Sequence, residues 1–168
     1  MIREAEKTDL PGCVRVIRES FMTVAEEFGF TEQNAPRFTA FAVTEQRLLW
    51  QLDNERRLML MYCTDSGELI GYYSLLFDKD GSCELNNLCV LPRYRHGGIG
   101  AELLRDAFAR ASEQGSTLMK IGIVEENIRL RRWYEGFGFE HTGTKKYDFF
   151  PFTCGYMEKR IYNNTEKE

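Results

Sequence analysis

The chain has 168 residues with a formal net charge of −4; 43% are hydrophobic and 13% aromatic. That length and composition suit one domain with a full core, expected over residues 1–162, with a polar tail at 163–168. No apolar run approaches the roughly 20 residues of a membrane span, the negative charge argues against bulk attraction to nucleic acid, and five scattered cysteines without a Cys-x-x-Cys pair suit reduced thiols in a cytoplasmic protein.

The elements follow in chain order. Residues 1–7 lack the apolar block of a signal peptide, and Ile2 to Ala5 suit a short strand. Thr8-Asp9-Leu10-Pro11 is a helix start, with a capping side chain and then a proline in the first turn. Val14, Ile17 and Phe21 continue it, and it fades before Gly29. A second helix is predicted over about 36–52, with Phe41, Leu48, Leu49 and Leu52 as its apolar members. Leu58 to Cys63 and Leu69 to Phe77 read as strands joined by a turn at Asp65-Ser66-Gly67-Glu68.

Residues 82–111 carry the strongest signal. Cys83, Leu85, Leu88, Cys89 and Val90 form a buried strand that Pro92 stops. Arg-Tyr-Arg-His-Gly-Gly-Ile-Gly follows. From Ile99 the apolar residues take a helical repeat: Leu103, Leu104, Ala107, Phe108 and Ala111. A strand, a glycine loop and a helix N-terminus make an anion site on physical grounds. The first turn leaves its N–H groups without partners and its dipole end is positive. Gly97, Gly98 and Gly100 remove side chains that would hold a diphosphate away, while Arg93, Arg95 and His96 can add charge or hydrogen bonds.

Leu118 to Val124 is the next buried strand. Asn127 opens a short helix bearing Leu130, Trp133, Tyr134 and Phe137, ended by Gly136 and Gly138. Phe139 to Phe149 and Phe152 to Tyr162 are the last strand candidates, separated by Pro151. Glu125 and Glu126 read as solvated loop residues. With two histidines and no His-Glu-x-x-His, no metal site is expected.

Three known loops are excluded. Ala101-Glu102 stand where a Walker loop needs Lys-Ser/Thr, and Leu103 stands where a dinucleotide fingerprint needs its third glycine. A Gly-x-Ser-x-Gly elbow is missing from the chain. What remains is Arg95-x-x-Gly98-x-Gly100 after a strand, and later Asn127 with Tyr134 seven positions on and a Gly138-Phe139 pair. Together these resemble the GNAT superfamily of acyl-CoA N-acyltransferases, loosely over residues 2–162.

The resemblance implies an α/β (α+β) fold: a mixed, mostly antiparallel sheet of about six to seven strands with helices on both faces. It implies acetyl-CoA as co-substrate and no metal. The backbone of Leu88, Cys89 and Val90 would pair with the pantetheine arm in a splay of the sheet. N–H groups from Arg95 or His96 through Gly97, Gly98, Ile99, Gly100 and Ala101 would hold the pyrophosphate. Asn127 would bond the pantetheine or fix the loop. Tyr134 would serve as general acid, since a phenol with a pKa of roughly 10 is protonated at neutral pH. On a face with Leu130 and Phe137, Tyr134 also reads as plain core. Some members carry a base five residues before the Asn; Gly122 stands there. Glu84 is the alternative base, acting through water.

The acceptor is read as a primary amine of a small molecule, either a small amine or an amino-acid-like metabolite, rather than a protein tail. Phe21, Phe28, Phe30, Phe38 and Phe41 near Glu26, Glu27, Glu32 and Glu45, with the 147–156 aromatics, suit an organic cation as well as ordinary core. The alternatives are a non-catalytic acyl-CoA-binding sensor or assembly module, a protein or peptide amine as acceptor, and, remotely, a nucleotide-phosphate binder. No membrane or nucleic-acid partner is expected, and a homodimer paired through terminal strands is compatible with the chain.

Overall fold

The computed structural model describes residues 1–162; the tail expected at 163–168 lies outside them. Seven strands form one sheet in the order β1-β2-β3-β4-β5-β7-β6. They are β1 (Ile2–Glu4), β2 (Arg57–Cys63), β3 (Leu69–Phe77), β4 (Ser82–Val90), β5 (Leu118–Val124), β6 (Glu140–Lys146) and β7 (Thr153–Arg160). Only the β4–β5 pair is parallel. The helices are α1 (Leu10–Phe28), α2 (Thr39–Ala42), α3 (Glu45–Asn54), α4 (Ile99–Glu113) and α5 (Ile128–Gly136).

Period-2 burial sorts the strands onto two cores. Met59, Met61, Cys63, Ile70 and Tyr72 pack with Val14, Ile17 and Leu48 of α1 and α3. Leu60, Tyr73 and Leu75 face the other way, onto Leu103, Leu104 and Ala107 of α4. The mixed sheet with helices on both faces matches the expected architecture. Among the described residues no helix is long and apolar enough to cross a membrane.

Two expectations are corrected. The helix predicted over 36–52 is two helices, because Val43 is extended and buried and Thr44 caps α3, its hydroxyl accepting from the Arg47 N–H at 3.1 Å. Leu49, an expected apolar member, is exposed beside Trp50. The strand predicted over 139–149 ends at Lys146, where Tyr147, Phe149 and Phe150 turn back onto one another, with ring centroids 4.8–6.4 Å apart.

Buried thiols give a testable consequence. Burial pushes Cys13 and Cys89 up to about 12 and Cys83 to about 11, from an ordinary 9.0. The folded chain therefore keeps protons that the unfolded chain releases. The resulting stability is fully present below pH 9 and is lost as pH rises toward 11–12. Urea unfolding at about pH 8 and about pH 10.5 is expected to show a lower midpoint at the higher pH with an unchanged slope.

Candidate functional site

The loop between β4 and α4 presents a row of donors. His96 and Gly98 both take the left-handed conformation, at φ 65 and 86. Glu102 is the first residue of the turn whose N–H finds a helical acceptor, the Gly98 carbonyl at 3.0 Å. The N–H groups of His96, Gly97, Gly98, Ile99, Gly100 and Ala101 have no acceptor among the described residues. A Cβ built on Gly98 would meet nothing within 4 Å, so the space over the row is open. Consecutive amides in alternating conformations at a helix N-terminus are a nest for an anion. The strained φ of His96, uncommon for a residue with a Cβ, is part of that geometry.

Of the two starts the sequence left open, the row begins at His96, and Arg95 supports it from behind. Its N–H bonds the Pro92 carbonyl at 3.3 Å. Its guanidinium turns inward to the Val90 carbonyl at 3.0 Å, the Thr23 hydroxyl at 3.0 Å and the Ser20 carbonyl at 2.8 Å. Burial lowers its pKa, yet three neutral acceptors compensate the charge. The loop is thereby pinned to α1. Arg93 is paired with Glu68. Of the loop's four cationic or titratable side chains, Arg93, Tyr94, Arg95 and His96, only His96 is exposed without a hydrogen-bonding partner among the described residues.

The β4 edge beside this loop is open. The parallel ladder runs only from Ser82–Leu118 to Glu84–Lys120. Beyond it β4 continues to Val90, while β5 stays paired with β7. Tyr72 faces Cys89 but Ser74 faces Asn86, so β4 carries one extra residue, absorbed at Asn87 with φ 55. Because Cys89 pairs with Tyr72 and the Leu91 N–H bonds Ile70, the alternation turns the backbone of Leu88 and Val90 to the open side.

Tyr134 is set beside that edge by α5. Asn127 caps the helix, its Oδ1 accepting from the Leu130 N–H at 3.2 Å, which leaves its amide nitrogen unengaged. Tyr134 packs in one core with Val90, its ring 5.0 Å from Trp133 and 5.3 Å from Phe139. Its hydroxyl has no hydrogen-bond partner among the described residues and is not among the fully sealed, unpaired polar atoms. Burial is the main cause of its raised pKa, with the Cys89 thiol adding to it. The ring is core, as one reading of the sequence had it, while the hydroxyl is not consumed by the core.

On the other sheet face, Glu84 and Asn86 line two adjoining cavities. One, of about 440 Å³, continues over Lys120, Gly122, Tyr156 and Glu158. The other, of about 490 Å³, lies under α2 and α3 and reaches Asn87 at the bulge. Glu84 is exposed at the last rung before β4 and β5 part. The aromatics expected to wall an acceptor fold largely into a core of their own. Phe30, Phe38 and Phe152 are buried, with Phe30 4.8 Å from Phe152 and 5.1 Å from Phe38.

The Glu125 reading is corrected as well, while Glu126 is exposed in the turn, as expected. Glu125 is partly buried between Arg131 at 3.2 Å and His141 at 2.8 Å, and Glu126 accepts the Thr153 N–H at 3.0 Å. The Glu125 carboxylate passes over Gly155, where an added Cβ would lie 2.0 Å from its oxygen. Gly155→Ala is expected to displace Glu125 and cost about 1–3 kcal/mol by overpacking, seen as a lower denaturation midpoint, with Glu125→Gly in the same chain restoring part of it. Sequence reasoning missed this cluster, the bulge and the arginines of the larger cavity. The one available signal was Asn86-Asn87 in mid-strand, since Asn is depleted in strands and tolerates positive φ.

Comparisons with known proteins agree with the geometry. The acetyltransferase (GNAT) family pattern matches residues 20–139. An uncharacterized N-acetyltransferase of Mycobacterium tuberculosis is 30% identical over 105 residues, covering 62% of this chain and 67% of its own. One from Archaeoglobus fulgidus is 28% identical over 139 residues, 79% of this chain and 88% of its own. The PaiA N-acetyltransferase of Thermoplasma acidophilum, solved with coenzyme A, superposes with a TM-score of 0.80 at 24% identity, over 95% of this chain and 98% of that one.

Proposed function

The chain belongs to the acetyltransferase (GNAT) family, and from that premise we propose that it transfers an acetyl group from acetyl-CoA to the primary amine of a small molecule, with Tyr134 as general acid and Glu84 as water-mediated base. The observation that carries this reading is the row of unpartnered amides from His96 to Ala101 lying at the end of an open strand edge. That pairing fits a cofactor with a diphosphate and a long amide-bearing arm. The coenzyme A bound in the Thermoplasma acidophilum relative is consistent with it.

When bound, acetyl-CoA supplies an activated thioester carbonyl. The chain's part is to position, accept and donate. Residues 96–101 hold the diphosphate through N–H groups, and the open backbone of Leu88 with the Val90 N–H pairs with the arm, the Val90 carbonyl being held by Arg95. Glu84 takes a proton from the amine through a water as the C–N bond forms. Tyr134 Oη gives its proton to the sulfur as the C–S bond breaks. Its raised pKa keeps that proton in place at neutral pH.

Thiol release from acetyl-CoA in the presence of an amine panel tests the activity. Amine-dependent release is expected; binding of acetyl-CoA without release on any amine would leave a sensor or assembly module in its place. Glu84→Gln is expected to lower kcat/KM by about 10²- to 10⁴-fold at neutral pH, where the parent's carboxylate takes the proton, and to change the shape of the pH profile. An unchanged profile removes Glu84 as the base.

A further inference from the structure

The larger cavity has a chemistry that the acetyltransferase reading does not use. Three arginines line it, Arg37, Arg47 and Arg57, against one carboxylate, Glu84. Arg57 is already neutralised: its Nε lies 2.6 Å from Glu55 and its Nη1 3.2 Å from the Ser74 hydroxyl. The other two lack such partners among the described residues. The Arg37 guanidinium lies over the Phe149 ring, 4.2 Å from the centroid, a contact that fixes its plane and leaves its charge unmatched. Arg47 uses its backbone N–H in the α3 cap, and its guanidinium has no hydrogen-bond or ion-pair partner among the described residues. In a chain of net charge −4, this is a cationic cavity in an acidic protein.

The same cavity is also lined by Glu84, Asn86 and Asn87 of the bulged β4. The Asn86 side-chain nitrogen is itself sealed beneath the cavity and has no hydrogen-bond partner among the described residues, so the arginines are the donors a ligand meets first. The space, about 490 Å³, suits a metabolite rather than a folded partner. Guanidinium groups match planar carboxylates by paired hydrogen bonds.

We propose that the cavity is an acceptor subsite for an amino carboxylate: the carboxylate is held by Arg37 and Arg47, and the amine is directed toward Glu84 and the β4 bulge. This rests on the acetyltransferase reading and narrows its acceptor from any amine to one that also carries a carboxylate. The organic-cation acceptor suggested by sequence is replaced, because Phe30 and Phe38 are buried and Phe21, Phe28 and Phe41 pack partly buried against them, whereas arginines line the space.

The test pairs α- and ω-amino acids with their decarboxylated amines. Affinity is measured by calorimetry with coenzyme A present, and turnover by thiol release. Each carboxylate form that fits is expected to exceed its paired amine by about 10- to 100-fold, the range for hydrogen bonds to a charged group. Arg47→Gln, at an exposed position, is expected to reduce that ratio about tenfold or more, and Arg37→Gln to do so independently. A preference in binding without turnover sustains the subsite and overturns the transferase reading. Turnover of paired amines at equal rates, or a ratio unmoved in both variants, sustains the transferase and overturns the subsite. Binding of no panel member, or turnover confined to peptide amines, overturns the subsite as well.

Discussion

The Gly98→Val substitution is expected to weaken acetyl-CoA binding by about 100-fold, because roughly two hydrogen bonds to a charged group are lost. Gly98 has φ 86 at the N-cap of α4, where a β-branched residue is a conformational outlier costing about 1–3 kcal/mol. A Cβ there would meet no atom of the described residues within 4 Å, so the cost at the first added carbon is conformational rather than a clash. The loop relaxes by giving up the left-handed turn, and the amides of residues 96–101 then cease to converge. The unfolding temperature is expected to fall by only about 2–12 °C for such a strain in a chain of this size. Calorimetric titration of acetyl-CoA against both proteins decides it. An affinity within about threefold of the parent would mean that this loop does not hold the diphosphate.

Tyr134→Phe is expected to lower kcat by about 10²- to 10⁴-fold, the usual contribution of a positioned acid, with acetyl-CoA affinity nearly unchanged. The substitution is clean. The ring keeps its contacts with Trp133 and Phe139, and the hydroxyl leaves no widowed partner among the described residues. A purely structural tyrosine predicts the opposite outcome, full activity with equal or better stability. The pH dependence is a second readout. Burial raises the Tyr134 pKa above its ordinary 10.0, so the proton is retained on the alkaline side. The parent's kcat is therefore expected to show no loss attributable to this phenol between about pH 7 and pH 10. A descending limb in that window that vanishes in Tyr134→Phe would contradict the assignment.

The sequence was legible where local chemistry and function coincide. The glycine loop, the helix after it and the Asn127 cap are set by neighbours in the chain, and each lies where patterning placed it. What escaped depends on distant partners. Nothing near Arg95 shows that its guanidinium will be spent on Ser20 and Thr23, 75 and 72 residues away. Glu125 looks solvated until Gly155 and His141 are brought beside it by β7 and β6. The break at Val43 and Thr44 was hidden because helical spacing of apolar residues carries across a short kink. The phenylalanines were ambiguous for the same reason: an aromatic wall and an aromatic core have one composition and differ only in which way the rings face.

The gap between β4 and β5 has a bearing on solubility. An unpaired strand edge is an invitation to aggregate, and proteins blunt such edges. The outermost strands here follow that rule: β1 has three residues, and β6 ends in Lys145 and Lys146 and carries an irregular register at His141 and Gly143. The β4 edge is long and carries no such blunting, but it is recessed, with β5 as its far wall. The edge is closed at one end by the Ser82–Glu84 ladder to β5, so another molecule's sheet cannot pair along the whole of β4.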